Sequence, residues 1–393
     1  MLRRRQSETL INRISEPRRT IQVVAGPRQV GKTTMVKQIL KNLAIPSMFF
    51  NADTVESNQW ISERWEDARA QLRYQGAKEM LLVIDEIHKI DNWSEAVKRE
   101  WDADTFNDVN LKVVLLGSSR LLIKKGLTES LAGRFELIPM GHWSYDEMHK
   151  EFGWTIEQYI YYGGYPGSAA YINDESRWRR YIRDAIVTPA IKKDVIQTSI
   201  IYKPALLHQL FKLSCSYSSE LLSYNKMLGS LQDAGNTTTL ASYMELLGES
   251  KLVTGLQKYA VDASRKYRSI PKFQVYNNAL MTAMTDGISF KKAYTQPKLW
   301  GRWVESAVGC WLLDHADDME YRLYYWRDGN DEVDFVVVHG ETMIAIEVKS
   351  GHEQTNRGLS VLREKYHPKH SLVVGGASMP LEQLFQGNLR NLF

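Results

Sequence analysis

The sequence predicts an α/β protein of several domains, opening with a parallel sheet covered by helices on both faces. Three observations predict it. Short apolar runs at 21–25, 80–84 and 113–116 suit strands buried on both sides. Stretches of helical composition separate them, as parallel strands require. The length of 393 residues exceeds what one core usually serves and argues for two or three domains. Composition is ordinary, 44% hydrophobic and 24% charged, which excludes collagen-like, coiled-coil and wholly disordered chains. A formal charge of +4 is too small to name a partner. Two cysteines, Cys215 and Cys310, make neither a disulfide framework nor a zinc ladder, so a reducing, cytoplasmic setting is expected. No apolar run approaches the ~20 residues of a membrane span. The basic start, Met1 to Glu8, lacks the apolar core of a secretory signal. No membrane partner is expected.

Residues 7–16 predict an amphipathic helix with Leu10, Ile11 and Ile14 on one side, ended by Pro17. The strand at 21–25 follows, and residues 31–43 have helical spacing at Met35, Ile39 and Leu43. Between them, Gly26-Pro27-Arg28-Gln29-Val30-Gly31-Lys32-Thr33 fits the G-x-x-x-x-G-K-[ST] phosphate loop. Glycines let backbone N–H groups wrap closely around phosphate oxygens, and the following helix adds its positive end. Lys32 would reach the β- and γ-phosphates, and the Thr33 hydroxyl would bind Mg²⁺. With Thr34, these nine positions are the candidate nucleotide-binding residues. The strand at 80–84 ends in Asp85 and Glu86. Asp85 is a candidate Mg²⁺ ligand, directly or through water, and Glu86 a candidate base for the attacking water. The strand at 113–116 runs into Gly117-Ser118-Ser119-Arg120. The Ser118 hydroxyl could touch the γ-phosphate or the water; a plain serine turn is the other reading.

At this point the chain resembles a family. Residues 24–134 resemble the AAA-type P-loop ATPases that many bacteria and archaea carry fused to a nuclease-like DUF4143 domain. The resemblance rests on GPRQVGKTT at 26–34, LLVIDEIHKI at 81–90, Asn92-Trp93, GSS at 117–119 and LAGR at 131–134. It implies ATP and Mg²⁺ as cofactors. It places Ser118 where such enzymes carry their first sensor, and makes Arg134 a candidate trans-acting or sensing arginine. A surface ion pair is the other reading of Arg134. Such sites often borrow a neighbour's arginine, which leaves room for a homo-oligomer. His88 stands where the family more often has Gln, and a structural histidine is the reading adopted.

The middle of the chain is less specific. Tyr161-Tyr162-Gly163-Gly164-Tyr165-Pro166-Gly167 reads as chain reversal, and residues 176–198 as a helix within a lid. Residues 205–260 read as helices at 206–214, 220–229 and 239–247, then strands at 252–254 and 256–259. That order resembles a winged helix-turn-helix, with Asn236 capping the third helix. Residues 201–300 hold twelve Lys and Arg against six Asp and Glu. Lys251, Lys258, Arg265, Lys266, Arg268 and Lys272 cluster there beside Tyr259 and Tyr267, which suits DNA. Glu245 and Glu249 on the third helix weaken base reading, and a packing or oligomerisation module remains open.

The last third predicts a helix from Trp300 to about Asp314, then strands at 322–326, after Asn330, and at 342–348. Glu347 and Lys349, two apart, project on one face of a strand. With Asp334 on the facing arm, they could hold a hard cation and activate a water for phosphodiester cleavage. This resembles the PD-(D/E)xK nuclease core of the same family's C-terminal domain. The resemblance makes Asp334 and Glu347 metal ligands, Lys349 the positioning lysine and Glu305 the acid of the first helix. Val333 replaces the usual proline, and an exposed ion pair is the plainer reading of Glu347 and Lys349. The expected organisation is an AAA-type P-loop domain at 1–145, a helical lid at 146–200, a winged helix at 201–262 and a nuclease-like α/β domain at 263–393. The expected function is ATP hydrolysis controlling a Mg²⁺-dependent endonuclease on DNA. An ATP-dependent switch or scaffold that binds DNA or protein without cutting is the alternative.

Overall fold

A computed structural model describes residues 4–55, 57–117, 126–127, 130–196, 199–233, 235–262, 269–351, 357–376 and 379–393. The chain divides into two compact units, Met1–Gly141 and His142–Phe393.

The first unit is built on β1 (Ile21–Ala25), β2 (Ser47–Asn51), β3 (Met80–Asp85), β4 (Leu111–Gly117) and β5 (Phe135–Pro139). Their order is β2-β3-β4-β1-β5, and every neighbouring pair is parallel. Helices α1 (Gln6–Ser15) and α2 (Lys32–Leu40) cover one face, where Leu10, Ile14, Met35 and Val36 meet Val24, Leu81, Val83 and Leu116. On the other face, α3 (Gln59–Gln75) and α4 (Trp93–Phe106) bring Ile61, Trp65, Val97 and Trp101 against Val23, Leu82, Ile84 and Leu115. Burial on both faces explains why the central strands read as unbroken apolar runs. Two strands, β2 and β5, escaped the sequence reading. They are the edges of the sheet, and their residues are mostly half-buried or exposed.

The strand order fixes where chemistry can happen. β4 lies between β1 and β3, with Ala25 beside Gly117 and Ile84 opposite Leu115. The carboxyl ends of all three strands therefore share one edge of the sheet, which is where ligands bind in open α/β sheets. Gly26 leaves β1 at that edge. A Cβ on Gly26 would fall 2.0 Å from the Met140 carbonyl oxygen, so only glycine fits the exit.

The second unit begins with helices Tyr145–Phe152 and Ile156–Tyr162, each opened by a reciprocal capping box, Ser144 with Glu147 and Thr155 with Gln158. Gly163 and Gly164 do more than reverse the chain. A Cβ on Gly163 would lie 2.0 Å from Asn277 Oδ1, and one on Gly164 2.1 Å from the Trp143 carbonyl oxygen. The helix expected over 176–198 is a regular helix only over Glu175–Tyr181, continuing as π-helical turns at Ile182–Val187 and Ala190–Ile196. Helices Pro204–Ser216, Tyr224–Leu228 and Thr237–Glu249 follow, the last capped by Asn236, whose side chain accepts the Thr239 N–H at 2.8 Å. The strand pair is a correction. β6 (Val253–Leu256) pairs antiparallel not with 256–259 but with β7 (Lys272–Val275).

The long helix Pro297–His315 then leads to β8 (Arg322–Asp328), β9 (Asp331–His339) and β10 (Thr342–Val348), and helix Arg357–Tyr366 to β11 (His370–Val374). These strands form a separate sheet, β11-β10-β9-β8, antiparallel throughout except for β10 with β11. Leu359 and Leu362 pack on Trp326, Val333 and Val336, closing one face. Among the described residues no helix is long and apolar enough to cross a membrane.

At the end of the long helix, Asp314 Oδ1 accepts the backbone N–H of His142 at 2.9 Å. Burial would raise this carboxyl, but the His142 side chain and N–H outweigh it and hold Asp314 down at about 2. A folded value below the unfolded ~3.9 contributes roughly 2 kcal/mol, present above about pH 4 and lost as pH falls toward 2. Asp314→Asn should therefore melt below wild type at pH 7, with the gap closing between about pH 4 and 2. A gap unchanged over that range in thermal melts would rule out this origin.

Candidate functional site

The glycine-rich loop lies between β1 and α2, at the edge where the strands end. Gly31 adopts φ 91° and caps α2, a conformation that suits glycine, and Gln29 also lies in the left-handed region at φ 59°. Lys32, 6% exposed, folds back over the loop and donates to the carbonyls of Gly26 at 2.9 Å and Pro27 at 2.8 Å. The Thr33 hydroxyl donates to Asp85 Oδ2 at 2.6 Å. Two residues 52 apart in sequence thus meet across the end of β4. The other Asp85 oxygen accepts the Glu86 N–H at 2.9 Å, and the carboxylate is 1% exposed. Glu86 turns in the left-handed region at φ 56°, its Oε2 3.6 Å from His88 Nε2. Burial, with the nearby Arg28 and Lys32 charges, lowers His88 to about 3, so its ring is neutral near pH 7. Thr34 is exposed one position beyond Thr33, and Val30 is buried.

One contributor went unread in the sequence. Arg4 is 4% exposed and donates to the Val30 carbonyl in the middle of the loop, and to the Gly141 carbonyl at 2.9 Å. Only its place in a basic N-terminal run hinted at it. Ser118 lies outside the described residues. Its neighbour Gly117 pairs with Ala25, at the base of the loop. Arg134 sits at the other end of the sheet, just before Phe135, which pairs with the first residue of β1. Its guanidinium holds Asp102 of α4 in a fork, at 2.7 and 3.0 Å. A phosphate in this chain's own loop is a strand's length away, so a role in sensing within the same chain does not fit.

In the second unit Glu305, Asp334, Glu347 and Lys349 do come together, but a second lysine is among them. Lys272, 1% exposed, has its Nζ 2.5 Å from Glu305 Oε1, 3.3 Å from the Asp334 carbonyl, and 3.7 Å from both Asp334 Oδ1 and Glu332 Oε1. Burial would lower Lys272, yet the pull of Glu305, Asp334 and Glu332 raises it. Burial pushes Glu305 up, against the pull of Lys272. Asp334 Oδ2 accepts the Val348 N–H at 2.7 Å, and Lys349 Nζ lies 2.6 Å from Glu347 Oε1. Among the described residues no three His, Cys, Asp or Glu side chains gather closely enough to hold a metal ion. The donors do not fit a divalent cation as arranged, because an ammonium stands between them.

The basic cluster is smaller than the sequence suggested. Lys272 is buried, and Lys251 pairs with Asp317 at 2.7 Å. Tyr259 packs its ring against Tyr324 and Tyr366. Arg265, Lys266, Tyr267 and Arg268 lie outside the described residues.

Three family models match the chain: an AAA domain over residues 18–149, a domain of unknown function, DUF8612, over 153–291, and another, DUF4143, over 300–386. A Mycobacterium tuberculosis protein described as uncharacterized is 24% identical over 339 residues, covering 84% of this chain and 70% of its own length. An uncharacterized Methanocaldococcus jannaschii protein is 24% identical over 360 residues, covering 86% and 76%. Among solved structures, the Aeropyrum pernix ORC1 protein in complex with DNA gives a TM-score of 0.32 at 11% identity, covering 72% of this chain and 91% of that one. AMPPCP-bound DnaA from Aquifex aeolicus gives 0.33 at 12%, covering 63% and 88%. A likeness of that size says nothing about activity.

Proposed function

We propose that this chain, an AAA domain followed by a DUF8612 region and a DUF4143 region, is an ATP-hydrolysing switch that acts on DNA. The hydrogen bond between Thr33 and Asp85 carries the reading. It unites the hydroxyl that follows the phosphate loop with the carboxylate that ends β3, the pair needed to bind Mg²⁺ beside a triphosphate. Thr33 and Asp85 would hold Mg²⁺, which would supply charge neutralisation as the γ-phosphoryl group passes to water. Lys32 rests on two neutral carbonyls, which a phosphate oxygen would outcompete. The loop N–H groups and the start of α2 favour the same anion. Glu86, next to Asp85, takes the proton of the attacking water. Neutral His88 leaves that carboxylate's charge intact. If Arg134 acts on a triphosphate, it does so in the site of a second copy, because it lies at the far end of this chain's sheet, paired with Asp102.

Action on DNA draws on the second unit. Three helices precede the β6–β7 pair, the order of a winged helix. The sequence between those strands carries Lys258, Arg265, Lys266 and Arg268, a run of charge suited to a phosphate backbone. A protein partner is the competing reading, favoured by Glu245 and Glu249 on the third helix.

Lys32→Ala should abolish ATP binding. Glu86→Gln should keep it while hydrolysis falls by roughly 10²–10⁴-fold. Equal turnover by Glu86→Gln and wild type would remove Glu86 from the chemistry. Reversing these charges, Arg265→Glu with Lys266→Glu and Arg268→Glu, should weaken duplex retention and flatten its dependence on salt. Unchanged affinity at every salt concentration would favour the protein partner.

A further inference from the structure

We propose that Lys272 is the resident cation of the C-terminal acid cluster, so that the cluster binds no divalent metal and cleaves no phosphodiester. The proposal goes beyond the ATPase reading and does not depend on it.

Lys272 belongs to β7 and pairs with Leu256 of β6, so its backbone is fixed by the sheet rather than by the acids. Its side chain is buried, and its Nζ lies 5.2 Å from the centre of the Phe335 ring. The remaining directions face oxygen: Glu305 from the long helix, and Glu332 together with the side chain and carbonyl of Asp334 from β9. An ammonium has three protons to give, and four oxygens lie within 3.7 Å of this one. It spans β7, β9 and the long helix, as a coordinated ion would. Two further carboxylate oxygens of the cluster are engaged. Asp334 Oδ2 takes the Val348 N–H, and Glu347 Oε1 takes Lys349. Glu332, 35% exposed, keeps contact with water.

A divalent cation entering between Glu305 and Asp334 would stand beside a buried ammonium. The lysine would have to be expelled first, leaving a buried charge without partners. Lys349, at 28% exposure, is the more movable of the two lysines, but it is not the one between Glu305 and Asp334.

The test uses the full chain without nucleotide and counts bound Mn²⁺ by electron paramagnetic resonance. Wild type, Asp85→Asn and Asp334→Asn are compared. Any Mn²⁺ bound by wild type should vanish in Asp85→Asn, which removes the ATPase metal ligand, and persist in Asp334→Asn. An ion that persists in Asp85→Asn and vanishes in Asp334→Asn would overturn the proposal while leaving the ATPase reading untouched. Lys272→Met gives the converse. Deprived of their ammonium, the carboxylates should recruit Mn²⁺, so the melting temperature should fall without the ion and recover with it. A Lys272→Met chain that melts like wild type and ignores Mn²⁺ would equally overturn it. If that variant does not fold, the wild-type comparison decides alone.

Discussion

The first unit turns on one short hydrogen bond, from the Thr33 hydroxyl to the Asp85 carboxylate. For that bond to exist, β1 and β3 must end at the same edge of the sheet although β4 separates them. The parallel arrangement secures this, since all five strands run the same way and their carboxyl ends coincide. Gly26 must also leave β1 beside Met140, where no side chain fits. Gly31 must then turn into α2 so that Thr33 faces β3. Packing on both faces of the sheet holds these ends in register. The local chemistry is therefore a consequence of the global topology.

The two acid sites of the chain answer the same electrostatic problem differently. A buried carboxylate needs a partner. Among the described residues Asp85 has only neutral ones, a hydroxyl and a backbone N–H, which under the proposed function a cation beside a triphosphate would replace. Glu305 and Asp334 instead share a lysine fixed in a neighbouring strand. The first arrangement stays ready to take up a charged ligand. The second is already complete.

Much of the first site was legible because its information is local. Glycine spacing, Lys32, Thr33 and an apolar strand ending in Asp85 all lie in short windows of sequence. What was missed is non-local. Arg4 reaches Val30 across 26 residues, and nothing in a basic N-terminus says that its guanidinium will be buried. Lys272 looked like one more charge in a basic stretch, because only the fold reveals that Glu305, Glu332 and Asp334 surround it. The misplaced strand has a similar cause. Residues 256–259 follow directly on β6 in sequence, whereas its true partner begins at Lys272, a separation that no periodicity encodes. Edge strands β2 and β5 lack the unbroken apolar run that marks a buried strand.

If Thr33 and Asp85 form the metal-binding pair of an ATPase, Asp85 should matter to Mg²⁺ more than to the nucleotide. The direct measurement is ATP affinity and turnover of Asp85→Asn against wild type, across a Mg²⁺ titration. The account predicts that the variant retains Mg²⁺-free ATP binding, loses the gain that Mg²⁺ gives wild type, and does not hydrolyse. Wild-type turnover with an unchanged Mg²⁺ response would contradict it.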